Sequence, residues 1–277
     1  MLKEDKIKKI FRIFASLVIT FVIAFPIYWM LVTSLKDTEE LLKNTPSLLL
    51  KDFHFENYIK ILNNSGFWGY LKNTIIATTG LVVLQILTAV GAAYGMAIGN
   101  FRYKKLVFAL IIGAMIIPEQ VTFIPIYIAF ARIGLVNTFL GLILPQAISP
   151  FLIYLLFTAF CNVDNSLIES AKMDGLNRLQ KLFNVYIPVN LPIFITTVLL
   201  SFINGWNAYF WPKIITNNES HRVITVGLAY LKTTLGGDIV SNYNEIMAGV
   251  LLSILPIVLL FLIFQKYITG EKELRGN

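Results

Sequence analysis

Side chains able to do chemistry are sparse in this sequence, and they suit recognition better than bond-making. The two histidines, His54 and His221, are widely separated, and the single cysteine, Cys161, cannot form a disulfide within the chain or a thiolate cluster. There is no G-x-x-x-x-G-K-[ST] phosphate loop, no H-E-x-x-H and no C-x-x-C. The chain therefore has no nucleotide or metal site of its own and is not expected to be an enzyme. Two features remain. Glu119 is the one charge between Leu106 and Ala131. The stretch ESAKMDGLNRLQKLFNVYIP, residues 169–188, mixes Glu169, Lys172, Asp174, Arg178 and Lys181 with the small residues Ser170, Ala171 and Gly175. Mixed charge beside small side chains is the chemistry of a protein-docking surface.

The elements that must carry these residues follow from the charge spacing. Only 14% of residues are charged, 56% are hydrophobic and the mean hydropathy is +0.70. Soluble domains carry about 25% charged residues. No charge occurs in Ile13–Leu35, Asn73–Phe101, Ile133–Val163, Leu182–Pro212 or Ile246–Gln265. A helix needs about 20 residues to cross a hydrocarbon core of ~30 Å. With the Glu119 run, these intervals predict spans at 13–34, 71–96, 106–130, 138–160, 185–207 and 246–267. Backbone groups in lipid must be satisfied within their own segment, so an open chain crosses as helices. The expectation is an all-α membrane protein with six transmembrane helices, forming one domain over 1–277. The run after MLKEDKIKKIFRIF is too long for a cleavable signal and reads as an uncleaved first span.

Placing both termini in the cytoplasm puts the whole +7 excess on one side, in short segments flanking the spans. That is the positive-inside pattern, and it removes any need for a nucleic-acid partner. Small residues and prolines punctuate the spans, as in GAAYGMAIG, IIPEQVTFIP, LPIF and ILPIV. They read either as close packing or as kinks in a bundle that moves.

Within the cytoplasmic segment 164–188, Ser166 and Glu169 have capping-box spacing. A helix from there carries Ile168, Ala171 and Gly175 on one side, followed by Leu179, Leu182 and Phe183. Asp174-Gly175 is turn chemistry, and Pro188 and Pro192 mark the way into the fifth span. Two short helices are predicted, with Ser170, Ala171 and Gly175 letting another surface come close. The competing reading, an amphipathic helix resting on lipid, fits poorly with a polar face of mixed charge and a contact side thinned to Ala and Gly where a lipid anchor would want Trp or Phe. Glu119 reads first as a helix-boundary group after Pro118 and second as part of a translocation path. Trp206, Asn207, Tyr209, Phe210 and Trp211 read first as an interfacial aromatic belt and second as a sugar-stacking platform.

Glu169, Ala171, Asp174, Gly175, Ile187, Pro188 and Pro192 stand in the register of the cytoplasmic EAA loop of ABC-importer permease subunits, which this segment resembles. Ser170 replaces the middle Ala, and Phe183 falls one place late. FPIYWMLVTSLKDTEEL, FHFENYIKIL, GYLKNTIIATTG, MIIPEQVTFIPIYIAFARIGLVNTFLGLIL and INGWNAYFWPKIIT extend the resemblance to the maltose-type carbohydrate permeases over nearly the whole chain. The tail YITGEKELRGN departs from that pattern. The resemblance implies coupling helices between spans four and five that dock cytoplasmic ATPase subunits through Glu169, Ser170, Ala171, Asp174, Gly175, Ile187 and Pro188. ATP would be bound by that partner, with no cofactor held here. It further implies a second permease as heterodimer partner, and an extracytoplasmic solute-binding protein on loops 35–70 and 212–245. The setting is a bacterial or archaeal inner membrane, and a sugar or oligosaccharide passes by alternating access. An ion-driven transporter would need repeats and midplane ligands beyond Glu119. A scaffold would leave segment 164–188 without a purpose. A permease for glycerol phosphate or another polar solute is the neighbouring alternative.

Overall fold

A computed structural model describes residues 2–41, 47–50, 52–234 and 243–268. Parts of both expected outer loops (42–46, 51, 235–242) and the tail 269–277 lie outside the described residues. The helices are α1 (Leu2–Ser34), α2 (Thr38–Leu41), α3 (Glu56–Asn63), α4 (Ser65–Ile98), α5 (Lys104–Ile116), α6 (Glu119–Arg132), α7 (Phe139–Ile143) and α8 (Pro150–Cys161). They continue as α9 (Asn165–Met173), α10 (Arg178–Lys181), α11 (Ile187–Val189), α12 (Leu191–Trp206), α13 (Phe210–Ile215), α14 (Ile224–Thr234) and α15 (Tyr243–Ile268). No strand occurs among the described residues.

Three helices are single pieces long and apolar enough to cross a membrane: α1 over Phe11–Ser34, α4, and α15 over Tyr243–Lys266. They contain the expected spans 13–34, 71–96 and 246–267. The other three expected spans fall on bent pairs. Helices α5 and α6 meet at 98°, Phe139–Gln146 and α8 at 49°, and Arg178–Val189 and α12 at 89°. Proline chemistry sits at each break. Ile117, before Pro118, is extended at ψ 119° because the proline ring disfavours the helical region there. Pro150 opens α8, with Ser149 Oγ accepting from the Leu152 amide. Asn190, at φ −104° and ψ 25°, precedes Leu191-Pro192 at the start of α12.

The chain forms two compact units, Met1–Trp68 with Gly227–Leu255 and Gly69–Val226 with Pro256–Asn277. In the first, α1 buries only 6% of its apolar window, so most of that surface is left for lipid or another chain. Its C-terminal end is different. Asn57 Nδ2 donates to the Ser34 and Lys36 carbonyls at 2.9 Å, and Asn244 Nδ2 donates to Lys36 O and Asn57 Oδ1 at 3.1 Å. Lys36 is 1% exposed. Its ammonium donates to Ser47 O and Oγ, pairs with Glu40 at 3.4 Å and lies 5.4 Å from the Trp29 ring centre. A buried cation is tolerated only when paired and hydrogen-bonded in this way.

The second unit has two apolar clusters. One joins Ala89, Ala93 and Tyr94 of α4 to Leu152, Leu156 and Phe160 of α8, and to Leu182 and Tyr186. The other gathers Leu81, Phe123, Leu142, Ile143, Trp211, Ile215, Val223 and Val226. Glycines set the spacing. A Cβ on Gly80 would stand 2.7 Å from Ile143 Cδ1, and one on Gly205 3.1 Å from Leu81 Cδ2. Between these clusters, Gln85 Nε2 donates to Gln146 O at 2.6 Å, while Gln85 Oε1 accepts from Ser201 Oγ at 2.6 Å. Thr88 Oγ1 donates to Ala147 O at 2.8 Å. The carbonyls freed where α7 gives way to α8 are thus taken up by side chains of α4.

Replacing Gln85 with Leu leaves the Gln146 carbonyl and the Ser201 hydroxyl without partners. It should destabilise the protein by about 1–2 kcal/mol, the scale of a hydrogen bond between membrane helices. Ser201→Ala removes one bond only and should cost less. Thermal unfolding of the detergent-purified chain checks the order, with Gln85→Leu melting lowest.

Candidate functional site

The densest polar segment of the second unit is 164–190, and its shape is set residue by residue. Helix α9 begins after Asp164, whose side chain makes no capping bond. The expected Ser166–Glu169 capping box does not form, because Ser166 already lies inside the helix; its carbonyl accepts from Ser170 Oγ at 2.9 Å. The end of α9 is a Schellman motif. Leu176 N donates to Ala171 O, Gly175 N donates to Lys172 O, both at 3.1 Å, and Gly175 has φ +73°. Nothing lies within 4 Å of a Cβ placed on Gly175, so conformation and not crowding asks for glycine there.

The capping box that does form belongs to the next helix. Asn177 Oδ1 accepts from Gln180 N at 2.9 Å and Gln180 Oε1 accepts from Asn177 N at 2.8 Å, starting α10. A π-helical turn, Leu182–Tyr186, then leads to α11, which carries Ile187 and Pro188, and to the break at Asn190. Two short helices joined at Asp174-Gly175 are present as the residues predict.

The segment is tied to the core through aromatic residues. Tyr94 Oη donates to Arg178 O at 2.7 Å, and its ring meets Tyr186 edge-on at 5.0 Å between centroids. Phe160 of α8 closes the group at 5.6 Å from Tyr186 and 6.3 Å from Tyr94. Any displacement of α10 is therefore felt directly by α4 and α8. Ala171 and Leu182 are buried, and Ile168 packs on the same cluster.

This changes one expectation: Ala171 faces inward and holds α9 to its own chain, so it is not part of the outward surface. Glu169, Ser170, Asp174 and Gly175 are exposed, as is Pro188, while Ile187 is half-buried. Apolar Met173, 82% exposed, and Leu179 and Phe183 stand out beside them. The sequence reading passed over Met173 because it lies outside the small-residue pattern. Tyr94 was missed because it lies 84 residues before Arg178, whose carbonyl it holds.

Glu119 is exposed in the first turn of α6, directly after the 98° bend. A carboxylate there meets the positive end of the helix. The aromatic group around Trp206 is neither belt nor platform at its two tryptophans. Trp211 is 1% exposed, donates from Nε1 to Gly141 O at 3.0 Å and packs between Phe123 and Phe130. Trp206 is buried and stacks on Phe202 at 5.3 Å. Both are interior residues that fix α12 and α13, and the exposed members of the group are Asn207 and Phe210. A cavity of about 20 Å³ lined by Ala77, Leu142, Gln146, Gly205 and Pro212 has room for a water but not for a sugar.

A family model described as binding-protein-dependent transport system inner membrane component matches residues 85–271. The probable ABC transporter permease protein YurM of Bacillus subtilis is 31% identical over 247 residues, spanning 88% of this chain and 80% of its own length. The arabinooligosaccharides transport system permease protein AraQ of the same organism is 27% identical, covering 100% of this chain and 99% of its own. The trehalose/maltose transport system permease protein MalG of Thermococcus litoralis is 28% identical over 97% of this chain and 96% of its own. Among solved structures, a bacterial ABC transporter involved in the import of the acidic polysaccharide alginate matches with a TM-score of 0.82 at 26% identity, covering 95% of this chain and 97% of that one. On this similarity and the match across 85–271, the chain belongs to the binding-protein-dependent transport system inner membrane components of ABC importers, which are permeases of the cell membrane and not enzymes.

Proposed function

We propose that this permease imports a sugar or oligosaccharide, and that α9 and α10 are the port through which a separate cytoplasmic ATPase drives it. The observation that carries the reading is the build of the 164–190 segment. An exposed face with Glu169, Ser170, Met173, Asp174 and Gly175 is fixed by Ala171, Tyr186 and the Tyr94–Arg178 bond to helices of the core. In this mechanism the ATPase grips the exposed face of α9. Its closure displaces α9 and α10, and the Tyr94–Tyr186–Phe160 group passes the displacement to α4 and α8. Those helices re-orient and open the path to the opposite side, which is alternating access. ATP stays on the partner.

The sugar class rests on relatives whose names specify arabinooligosaccharides and trehalose/maltose. On this reading α1, α4, α15 and the three bent pairs make six spans, with both termini and the 164–190 segment cytoplasmic. A second permease chain completes the path, in keeping with the very small cavity in this chain's second unit. The loop 212–245, of which 235–242 lie outside the described residues, offers the docking surface for the solute-binding protein.

Three measurements test the reading. Gly175→Leu forces a side chain into a left-handed conformation at a cost of roughly 1–2 kcal/mol. Together with Glu169→Ala, it should abolish co-purification of the ATPase from detergent extracts; retention by both variants would remove α9 as the port. Tyr94→Phe should still bring down the ATPase but transport less solute per ATP, because the docking face survives and its tie to Arg178 does not. Glu119→Gln should import at the wild-type rate. A clear loss would move Glu119 from the helix boundary into the translocation path.

A further inference from the structure

The first compact unit carries an apolar surface that the import mechanism does not use. Around α3, residues divide by direction into three faces. Asn57 and Ile61 are buried against the unit. Glu56, Lys60 and Asn63 lie together on a second, polar face, where Lys60 pairs with Glu245 at 3.0 Å. Phe55, Ile59 and Leu62, at spacings of four and three, form an exposed apolar stripe on the third, with Ile59 55% exposed. Trp68, 51% exposed, joins the end of the stripe by donating from Nε1 to Leu62 O at 2.7 Å, and Leu49, 73% exposed, stands on the neighbouring segment 47–50.

The height of this surface can be read from its bonds to α1. Tyr28 Oη donates to Leu48 O at 2.6 Å, and the Lys36 ammonium that holds Ser47 lies over the Trp29 ring. Tyr28 precedes the helix end at Ser34 by six residues, about 9 Å at 1.5 Å per residue. Helical side chains tilt toward the N-terminus, so the Tyr28 hydroxyl does not rise above its own turn toward the helix end. Segment 47–48 therefore folds back beside the last two turns of the apolar run. His54 N then bonds Leu35 O at 2.9 Å, and Ser34 Oγ meets Tyr58 Oη at 2.8 Å, which fixes α3 at the level where that run ends.

We propose that α3 and segment 47–50 form an in-plane membrane seat. Leu49, Phe55, Ile59, Leu62 and Trp68 rest in the headgroup–acyl boundary of the leaflet at the C-terminal end of α1. The occupant is phospholipid, because the bonds of His54 to Leu35 and of Tyr58 to Ser34 hold the stripe at the level where the apolar run of a spanning helix ends. A helix with protein, water and apolar thirds is what such a boundary selects, and tryptophan concentrates there. The seat withdraws this face of the first outer loop from the docking surface that its sequence suggested. It rests on α1 crossing the bilayer and is independent of ATPase docking at α9.

The test uses the full chain in phosphatidylethanolamine–phosphatidylglycerol vesicles. A Cys161→Ala background carries one spin label at Leu49→Cys, Ile59→Cys or Glu56→Cys. Labels at 49 and 59 should collide several-fold more with oxygen, which concentrates in lipid, than with a water-soluble nickel chelate. The label at 56 should show the reverse. Preference for nickel at 49 and 59 would make the face aqueous, and shielding from both reagents would make it a protein contact; either overturns the proposal. Independently of labelling, brominated phospholipid should quench wild-type tryptophan fluorescence more than that of Trp68→Phe, and equal quenching would also overturn it.

Discussion

A peptide group without a partner inside a bilayer has nowhere to find one, and the second unit is organised around that constraint. A straight helix meets it unaided. A broken one does not, and this chain breaks an apolar stretch near Ile117–Pro118, near Ala147–Ser149 and at Asn190. At the second break the answer is explicit. Gln85 and Thr88 of α4 supply donors to the Gln146 and Ala147 carbonyls, and Ser201 of α12 fills the remaining acceptor of Gln85. One amide and two hydroxyls thus tie three elements together where the backbone changes direction. The glycines Gly80 and Gly205 bring the elements close enough for short side chains to reach.

The same economy governs the 164–190 segment. Its outer face mixes polar residues with the exposed Met173, Leu179 and Phe183, while its changes of direction are closed by the Schellman end of α9, the capping box of α10 and the tyrosine on Arg178 O. The segment is stiff without a core of its own, borrowing Tyr94 and Phe160 from neighbours. Stiffness without bulk is what a transmitting element between two moving bodies requires. On the proposed coupling role that property has a use, since the motion would have to come from a partner.

Much of this was legible in residue order because the membrane imposes coarse rules. The spans read from charge-free intervals fall inside α1, α4 and α15, although α1 starts well before its span, at Leu2, and Asp174-Gly175 announced its turn because few residue pairs accept that geometry. The bends were only half legible. Pro118 and Pro192 were visible and Pro150 was passed over, but a proline can kink a helix slightly or break it, and only the contacts around it decide. Ser166 and Glu169 illustrate another limit: their spacing fits a cap, yet the helix starts two residues earlier, after Asp164. Trp206 and Trp211 were read as interfacial on composition, whereas Phe202, Phe123, Phe130 and the Gly141 carbonyl hold them in the interior. Gln85 escaped notice because counting charges overlooks neutral amides, and in a bilayer an amide matters almost as much.

The π-helical turn at Leu182–Tyr186 closes its ring over one more residue than an α-helical turn would. It works as a built-in allowance of a single residue. Losing one residue there would leave a continuous helix but would turn everything before it by about 100° around the axis, the angle each residue subtends at 3.6 per turn. The direction in which Glu169 and Met173 face is therefore set by the length of this short stretch as much as by the side chains themselves, and length variation among related chains at this point would re-aim the whole face at once.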